Sequence, residues 1–425
     1  MSIINFIILD SVMNPSIREN PYYKFIIWLS FFGCILSIYY LVSTRDSIII
    51  PYGDTVNYWA TGRLILRGDN PYSAEEVLKI QDEIGKLQTS PLNEISMNLY
   101  PPWAIPFTLP LGLFEYSLSR LLWLLFHIII IVFCGKVIWF LYGGSSKMLY
   151  ISYMITSLYA PTIFILGMGH NTALLLLGTV GFLYFTQKSK TNRWYYFLAG
   201  VSVSLATFKP QILYLLFFAL FFWIIIKRKW LVLLGGLSMI SILTLISLAF
   251  DPQVIIHYWI TFSNYEFGAW PTPTIGLFLR SIFGSEKEWL QILPSIFGIA
   301  WLFYFWRKHQ ETWNWLEEMP ILLLVSVITS PYFWTYDMVV LLIPIIGVLA
   351  KISRKRFGWK TGVYISSFII LNITVFYFHL RFTDYWFVWF APVLLIWYLI
   401  GKKITKKNIH IPESAEQDLT QAAPN

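Results

Sequence analysis

The chain has 425 residues, of which 57% are hydrophobic, 19% aromatic and only 13% charged, and its mean hydropathy is +0.60. Because roughly a quarter of the residues in soluble domains are charged, this composition excludes an ordinary soluble protein and indicates an integral membrane protein. The formal net charge of +8 would suggest a nucleic-acid partner in a soluble protein. In a membrane protein it indicates lysine and arginine in cytoplasmic loops, so we expect no nucleic acid.

Apolar stretches of about 20 residues can cross a bilayer as helices, and shorter ones can do so where a helix is broken. The sequence contains twelve candidate stretches, at 22–42, 118–141, 148–167, 171–187, 194–208, 211–226, 230–250, 289–306, 319–330, 337–350, 361–379 and 385–400. They predict an all-α, polytopic membrane protein with about twelve transmembrane helices. We expect one transmembrane domain over residues 1–407, followed by a polar, disordered tail at 408–425.

Lysine and arginine are concentrated in every second connection, including 188–193, 227–229, 307–308, 351–360 and 402–407. The intervening turns at 168–170, 331–336 and 380–384 hold only Arg381. Because positively charged loops stay in the cytoplasm, this bias predicts a multi-pass protein of the cell membrane with both termini and the tail cytoplasmic. The other turns are then extracytoplasmic.

Two long connections fall on the predicted extracytoplasmic side, at 43–117 and 251–288. Loops of this length in a compact domain tend to be functional, and their many aromatic residues argue against disorder. In the first loop, apolar residues recur after Asp54, at positions typical of an interfacial helix that begins at or near this aspartate. A second, polar helical segment is predicted near 74–88.

Several polar residues lie at the predicted span ends, where charge is costly and usually has a purpose. Each also has a purely structural explanation. Asp54 and Asp337 could only cap helices, Asn171 could cap the helix after the Gly169-His170 turn, and Lys209, beside Pro210, could extend towards the interface. Taken singly, most of these residues are explained as well by structure as by function.

Their common side is more informative than any one of them, because the lysine and arginine bias places them all on the extracytoplasmic face. A carboxylate that takes a proton, a lysine that balances phosphate charge and aromatic rings that pack on sugars suit a site for a polyprenyl-phosphate sugar. The candidate base is Asp54, and the candidate phosphate ligands are Lys209, Arg280 and Arg381. The candidate substrate-binding residues are Tyr58, Arg63, Tyr100, Trp103, His170, Asn171, Trp270, Trp334 and Asp337.

A series of motifs runs in order from about 50 to 345: Asp54-x-x-x-Tyr58, Gly68-x-Asn70-Pro71-Tyr72, Tyr100-Pro101-Pro102, Gly169-His170-Asn171, Lys209-Pro210 and Pro331-Tyr332-x-x-x-Tyr336-Asp337. This series resembles glycosyltransferase family 87. Its members are GT-C fold membrane enzymes that include polyprenyl-phosphate-mannose-dependent mannosyltransferases and related arabinofuranosyltransferases. The resemblance implies an inverting transferase with an extracytoplasmic site and the first-loop aspartate, here Asp54, as general base.

The chain departs from the family at two points. The family often has Gly-Gln-Asn where this chain has Gly169-His170-Asn171, so the role of His170 stays open. Many GT-C relatives have adjacent acidic residues in the first loop, whereas Asp54 follows Gly53 and the nearest earlier acid is Asp46. We therefore expect neither a metal ion nor a cofactor, and no nucleotide-binding motif is present in the sequence.

We predict that the protein transfers a hexose, with mannose favoured, from a polyprenyl monophosphate to an acceptor hydroxyl on a glycolipid or glycan. The alternative is a flippase or transporter of lipid-linked sugars, because interrupted helices and charges at membrane depth also suit transport. The absence of a convincing internal repeat and the one-sided placement of the polar residues favour the transferase. A third hypothesis, a non-catalytic assembly partner, predicts that Asp54→Asn is harmless.

Overall fold

The computed structural model describes residues 53–84, 97, 99–264, 270–355 and 358–406. Within these ranges the chain is helical and contains no strand. The α-helices are α1 (Thr55–Arg67), α2 (Ala74–Asp82), α3 (Leu109–Gly112), α4 (Tyr116–Leu141), α5 (Leu149–Leu158), α6 (Ala160–Met168), α7 (Ala173–Lys188), α8 (Tyr195–Val203), α9 (Tyr214–Ile226), α10 (Trp230–Phe250), α11 (Val254–Ser263), α12 (Ile275–Phe283), α13 (Trp289–His309), α14 (Trp315–Thr329), α15 (Leu342–Ile352), α16 (Trp359–His379) and α17 (Phe390–Lys406). Short 3₁₀ helices lie at Pro102–Phe107, Ser146–Met148, Ser204–Phe208, Thr335–Leu341 and Asp384–Phe387.

Six helical segments of the described chain are long and apolar enough to cross a membrane, and a bent pair would make a seventh. They are Tyr116–Leu141, Trp230–Phe250, Trp289–His309, Thr335–Ile352, Trp359–His379 and Asp384–Thr405, with α5 and α6 as the bent pair. Helices α7 to α9 and α11 are apolar but shorter. The prediction of about twelve spans is therefore not confirmed, and its first stretch, 22–42, and the tail at 408–425 lie outside the described residues.

The predicted span at 148–167 is broken in its middle, where α5 and α6 meet at an angle of 53°. Pro161 stands in the first turn of α6 and cannot donate a backbone hydrogen bond to the preceding turn. Two of the backbone groups freed by the break are bonded to one side chain of α16, Asn372. Its amide donates to the Leu158 carbonyl (2.7 Å) and accepts from the Ala160 N–H (2.8 Å).

The first predicted loop contains a buried helix. Ten of the thirteen residues of α1 are buried, and the helix packs against α2, α3 and α4. A helix lying at an interface would expose one face to solvent or headgroups, so an interfacial position for α1 is not confirmed. The second helix of this loop, α2, ends at Asp82. Residues 85–88 of the predicted helical segment 74–88 lie outside the described residues.

The helix ends of the described chain form two groups, one at each end of the molecule. At the Asp54 end, the turns that carry Asp54, Gly169, Lys209 and Asp337 meet. At the opposite, basic end lie the lysine- and arginine-rich turns. There Lys351 is bonded to Glu317 (2.7 Å), and the Lys355 ammonium donates to the carbonyl of Ile404 (2.9 Å). The lysine- and arginine-rich turns, which alternate with the other turns along the sequence, thus lie together at one end of the structure.

Candidate active site

A cavity of about 770 Å³ opens at the Asp54 end of the molecule. Its walls come from α1, the segment before and within Pro102–Phe107, the α6–α7 turn, the Thr207–Gln211 segment, α11, the turn before Thr335–Leu341 and the end of α16. Nine of the residues predicted for the site line it: Asp54, Tyr58, Tyr100, Trp103, His170, Lys209, Trp270, Trp334 and Arg381. The structure therefore brings together span ends that lie up to some 330 positions apart in the sequence.

Asp54 occupies the N-cap position of α1, but its carboxylate makes no capping hydrogen bond. Asp54 is one of the residues that line the cavity. A short carboxylate at this position usually accepts from free N–H groups of the first turn, so helix capping does not explain why an aspartate stands here. Helix capping, the purely structural explanation of Asp54, is therefore not supported by the geometry.

The backbone around Asp54 is held against the α6–α7 turn at very close range. The Asp54 N–H donates to the Met168 carbonyl (2.7 Å). Gly53 (φ +45°) and Gly169 (φ +70°) adopt left-handed conformations, and a Cβ would overlap the Met168 carbonyl at Gly53 and the Thr55 hydroxyl at Gly169. Only glycine fits both requirements, so these two turns interlock and fix the position of Asp54 relative to His170.

Lys209 forms a buried ion pair with Asp337. The ammonium lies 2.9 Å from Oδ1 and 3.1 Å from Oδ2, and the exposed fractions of the two side chains are 8% and 1%. The Trp334 N–H also donates to Asp337 Oδ2 (2.8 Å), which is the predicted capping role of this aspartate. Asp337 therefore caps its helix and neutralises Lys209 at the same time, and Lys209 is not an uncompensated cation.

The hydrogen bonds continue from Asp337 into the cavity wall. The Thr172 hydroxyl lies 2.5 Å from Asp337 Oδ1 and 2.7 Å from His170 Nδ1, and His170 Nε2 lies 2.9 Å from the Tyr100 hydroxyl. Burial, and next the positive charge of Lys209, lower the pKa of His170 well below its usual value. Burial, and next the neighbouring Tyr58, raise the pKa of the Tyr100 hydroxyl. Both side chains are therefore neutral hydrogen-bonding groups near neutral pH.

Aromatic rings form much of the rim. The Trp334 ring stacks on Tyr336 and meets the edge of Trp270, with a centroid distance of 6.1 Å in each pair. The Lys209 ammonium lies 5.3 Å from the Tyr336 ring centroid and 5.8 Å from that of Tyr100. Flat aromatic faces around a polar centre suit a ligand that combines hydroxyl groups with an apolar portion.

Arg381 brings a second positive charge to the cavity. Its side chain is exposed at the end of α16, and within the described ranges no carboxylate lies within ion-pair distance of it. Nearby, His379 lies 3.5 Å from Asp384, which also accepts from the Thr335 N–H (2.9 Å). The cavity thus has one cation that is neutralised by a buried carboxylate and a second, exposed cation with no ion pair in the described ranges.

The structure places four predicted residues elsewhere. Asp337 and Asn171 are buried behind the cavity wall, and the Asn171 side chain does not cap α7. Arg63 lies on another face of α1, where its guanidinium stacks on Trp59 (5.0 Å) and borders a separate cavity. Arg280 donates to the carbonyl of Ser285 in its own loop (2.6 Å). Arg63 and Arg280, which the sequence predicted to lie in the site with Asp54, therefore do not line the cavity.

Several lining residues were not predicted, including Asn57, Thr207, Gln211, Tyr258, Tyr336 and Asp384. Asn57 could have been found, because it follows Asp54 by three positions and so lies on the same face of a helix. Thr207 accepts from the Trp103 indole N–H (2.9 Å), which holds that ring at the cavity. No group of three His, Cys, Asp or Glu side chains suited to a metal ion occurs within the described part of the chain.

The described chain is a bundle of apolar helices with a cavity that is lined by acidic, basic and aromatic side chains. The comparison with known families is more specific. The model of glycosyltransferase family 87 matches residues 98–331, which is more than half of the chain, and the chain belongs to this family. No curated protein and no solved structure matches it.

Only part of the candidate site lies within the region that the family model matches. Tyr100, His170 and Lys209 lie inside it, whereas Asp54, Asp337 and Arg381 lie outside. Membership of the family therefore establishes a glycosyltransferase, and the assignment of Asp54 depends on the geometry of the cavity.

Proposed function

We propose that this glycosyltransferase moves a hexose, with mannose favoured, from a polyprenyl monophosphate to an acceptor hydroxyl of a glycolipid or glycan. The observation that carries the proposal is Asp54, which makes no capping hydrogen bond and lines a cavity of about 770 Å³ together with Lys209 and Arg381. A soluble nucleotide sugar would not need an aromatic-rimmed cavity in an apolar helical bundle. The same features support the GT-C type of fold that we expect for the chain.

In the proposed reaction, Asp54 accepts the proton of the acceptor hydroxyl as its oxygen attacks the anomeric carbon. The bond between that carbon and the phosphate oxygen breaks on the opposite face, and the lipid phosphate leaves with the electron pair. One displacement by one nucleophile inverts the anomeric configuration, by the logic that distinguishes inverting from retaining sugar chemistry. No metal ion or cofactor enters this scheme.

The leaving phosphate requires positive charge, and the two cations of the cavity differ in what they can supply. Arg381 is exposed and without an ion pair in the described ranges, and a guanidinium matches phosphate oxygens in a bidentate fashion. Lys209 uses two contacts on Asp337, but an ammonium carries three donors, so one remains. We therefore assign Arg381 the main phosphate contact and Lys209 a supporting one.

The remaining substrate contacts follow from the lining. Trp103, Trp270 and Trp334 would pack on the sugar and the prenyl chain, and Tyr58, Tyr100 and His170 would offer neutral hydrogen-bonding groups. His170 and Tyr100 fix each other through their hydrogen bond of 2.9 Å. The distribution of lysine and arginine along the chain supports an extracytoplasmic site in the cell membrane with both termini cytoplasmic.

The test is a transfer assay with the purified full chain in lipid nanodiscs. Labelled polyprenyl-phosphate-mannose and a panel of envelope glycolipids are supplied, with a nucleotide sugar as the control donor. Wild type should transfer from the lipid donor alone, whereas D54N should lose about 10²- to 10⁴-fold in rate, the usual contribution of a general base. D69N, a change at an exposed aspartate of the same loop, should transfer like wild type.

Two results would contradict the proposal. Equal transfer by D54N and wild type would remove Asp54 as the base. Movement of the lipid-linked sugar across the bilayer without any transfer would support a transporter instead.

A further inference from the structure

Four tryptophans pack together at the basic end, far from the Asp54 cavity. Trp223 is near the end of α9, Trp306 is near the end of α13, Trp315 begins α14, and Trp313 precedes it by two residues. Their rings are in contact: the centroids are 4.4 Å apart for Trp306 and Trp313, 5.3 Å for Trp313 and Trp315, and 5.5 Å for Trp223 and Trp315. A cluster of this kind is apolar except for its indole N–H groups.

Three of these N–H groups have no acceptor in the described chain. The Nε1 atoms of Trp306, Trp313 and Trp315 are buried and make no hydrogen bond. The first and the last of these side chains are each only 4% exposed. Because an indole nitrogen can only donate, and buried donors almost always have a partner, these three groups lack the acceptor that buried indoles usually have.

Unpaired positive charge surrounds the same place. The cations that end α9 and α13 are exposed, and none of them forms an ion pair within the described ranges: Lys227, Arg228, Arg307 and Lys308. The two helices are neighbours, since Phe222 contacts Phe303 (5.4 Å) and Trp306 (5.7 Å). The turn that follows α13 contributes the carboxylate of Glu311, and the first turn of α14 adds Glu317, which is bonded to Lys351, and the buried Glu318. The exposed charges at the ends of α9 and α13 themselves are therefore all positive.

Below the cations, the outward surfaces of α9 and α13 are apolar. Phe221 and Ile225 on α9 and Phe303 and Tyr304 on α13 are all exposed. In a bilayer, this surface lies beside acyl chains, while the cations and the indoles reach headgroup depth. The corner thus combines a surface for hydrocarbon, hydrogen-bond donors and a positive rim.

We propose that the corner between α9 and α13 is a binding site for an anionic phospholipid. Its negative headgroup would lie among Lys227, Arg228, Arg307 and Lys308. Its phosphate or ester oxygens would accept from the Trp306 and Trp313 indoles after a rotation of these rings that exposes their buried N–H groups. Its acyl chains would follow Phe221 and Phe303. Basic pockets between helices at a membrane surface recognise anionic headgroups in this way. This site does not depend on the proposed transfer reaction.

The test is native mass spectrometry of the full chain, released from detergent with equal amounts of phosphatidylglycerol and phosphatidylcholine that carry identical acyl chains. Wild type should retain phosphatidylglycerol about tenfold more than phosphatidylcholine, because each cation near a headgroup contributes to selectivity. The site variant replaces the four cations: K227Q, R228Q, R307Q and K308Q. It should retain the two lipids equally.

A matched control removes the same number of exposed cations from other turns of the basic end: K147Q, K188Q, K190Q and R193Q. This control should keep the wild-type preference. Equal retention of both lipids by wild type, or equal loss of preference in the site variant and the control, would overturn the proposal.

A second variant tests the donors. W306F together with W313F keeps the rings but removes two N–H groups, so retention of both lipids should fall several-fold while the preference for the anionic lipid remains. Thermal melting shows whether the variant is folded. Retention equal to that of wild type in the folded variant would show that the indoles do not bind the lipid.

Discussion

The two ends of the molecule each contain a lysine–carboxylate pair, and the two pairs have almost the same length. Lys209 and Asp337 are 2.9 Å apart at the cavity, and Lys351 and Glu317 are 2.7 Å apart at the basic end. Their exposed side-chain fractions are 8% and 1% in the first pair but 35% and 44% in the second. The distance is therefore a poor guide to the energy, which depends on how much water each charge has lost.

The partners around each pair explain why the buried one is tolerated. Asp337 also accepts from Thr172 and from the Trp334 N–H, so the lone pairs of this desolvated carboxylate are used. Lys351 has one carboxylate and the Tyr142 ring at 5.5 Å, and water reaches both members of its pair. The cavity end thus holds its charges in fixed positions, whereas the basic end leaves them hydrated.

K209M should have the largest effect on stability, because Asp337 would remain buried without its counterion. We expect a loss of about 3–5 kcal/mol in the free energy of unfolding, measured by chemical denaturation in detergent. The double variant K209M/D337N should recover most of that loss, since no buried charge is left. A single variant as stable as wild type would contradict a buried ion pair.

R381Q should act on donor binding rather than on stability. The loss of a charge-assisted contact with the donor phosphate costs about 1.5–3 kcal/mol, which corresponds to a rise of roughly 10- to 100-fold in the KM for the lipid donor. The matched control is R280Q, because Arg280 is bonded to Ser285 in its own loop. An equal rise of KM in both variants would contradict the proposal that Arg381, but not Arg280, contacts the donor phosphate.

H170Q tests the neutral imidazole. Because burial lowers the pKa of His170 in the folded state, the unfolded chain takes up a proton first as the pH falls below about 6.5. The contribution of His170 to stability is thus complete above that pH and is lost progressively below it. Between about pH 6.5 and 5.5, wild type should lose about 1 kcal/mol more unfolding free energy than H170Q. Parallel pH profiles would contradict a buried neutral histidine.

K351M should have the smallest effect. Its pair with Glu317 is more than a third exposed, and pairs of this kind contribute about 0–1 kcal/mol. We expect a change below about 1 kcal/mol, measured under the same conditions as K209M. A loss as large as that of K209M would show that burial does not distinguish the two pairs.

The extents of the long helices could be predicted from the sequence, because an apolar run ends where charge begins. The predicted stretch 230–250 coincides with α10, and 118–141 differs from α4 by two residues at one end. The break between α5 and α6 was not predicted, although Pro161 is a signal for it. The number of spans could not be fixed, because several helices are apolar but too short for composition alone to decide.

The residues of the candidate site could be predicted only in part. A common membrane side explains why Asp54, His170 and Lys209 meet, but it does not give the direction of a side chain. Arg63 follows Tyr58 by five positions, which places it about 140° around the helix, so helical geometry alone would have separated the two. The pairing of Lys209 with Asp337 joins residues 128 positions apart and required the tertiary structure.

The break between α5 and α6 has a consequence for biogenesis. Its freed carbonyl and N–H are satisfied by Asn372, which is 212 residues later in the chain than Ala160. In hydrocarbon such backbone groups need a partner, so the kinked segment has no permanent one until α16 has been synthesised and inserted. Until then, water or another protein must solvate the kink. The kink between α5 and α6 therefore acquires these two hydrogen bonds only after α16 has been synthesised.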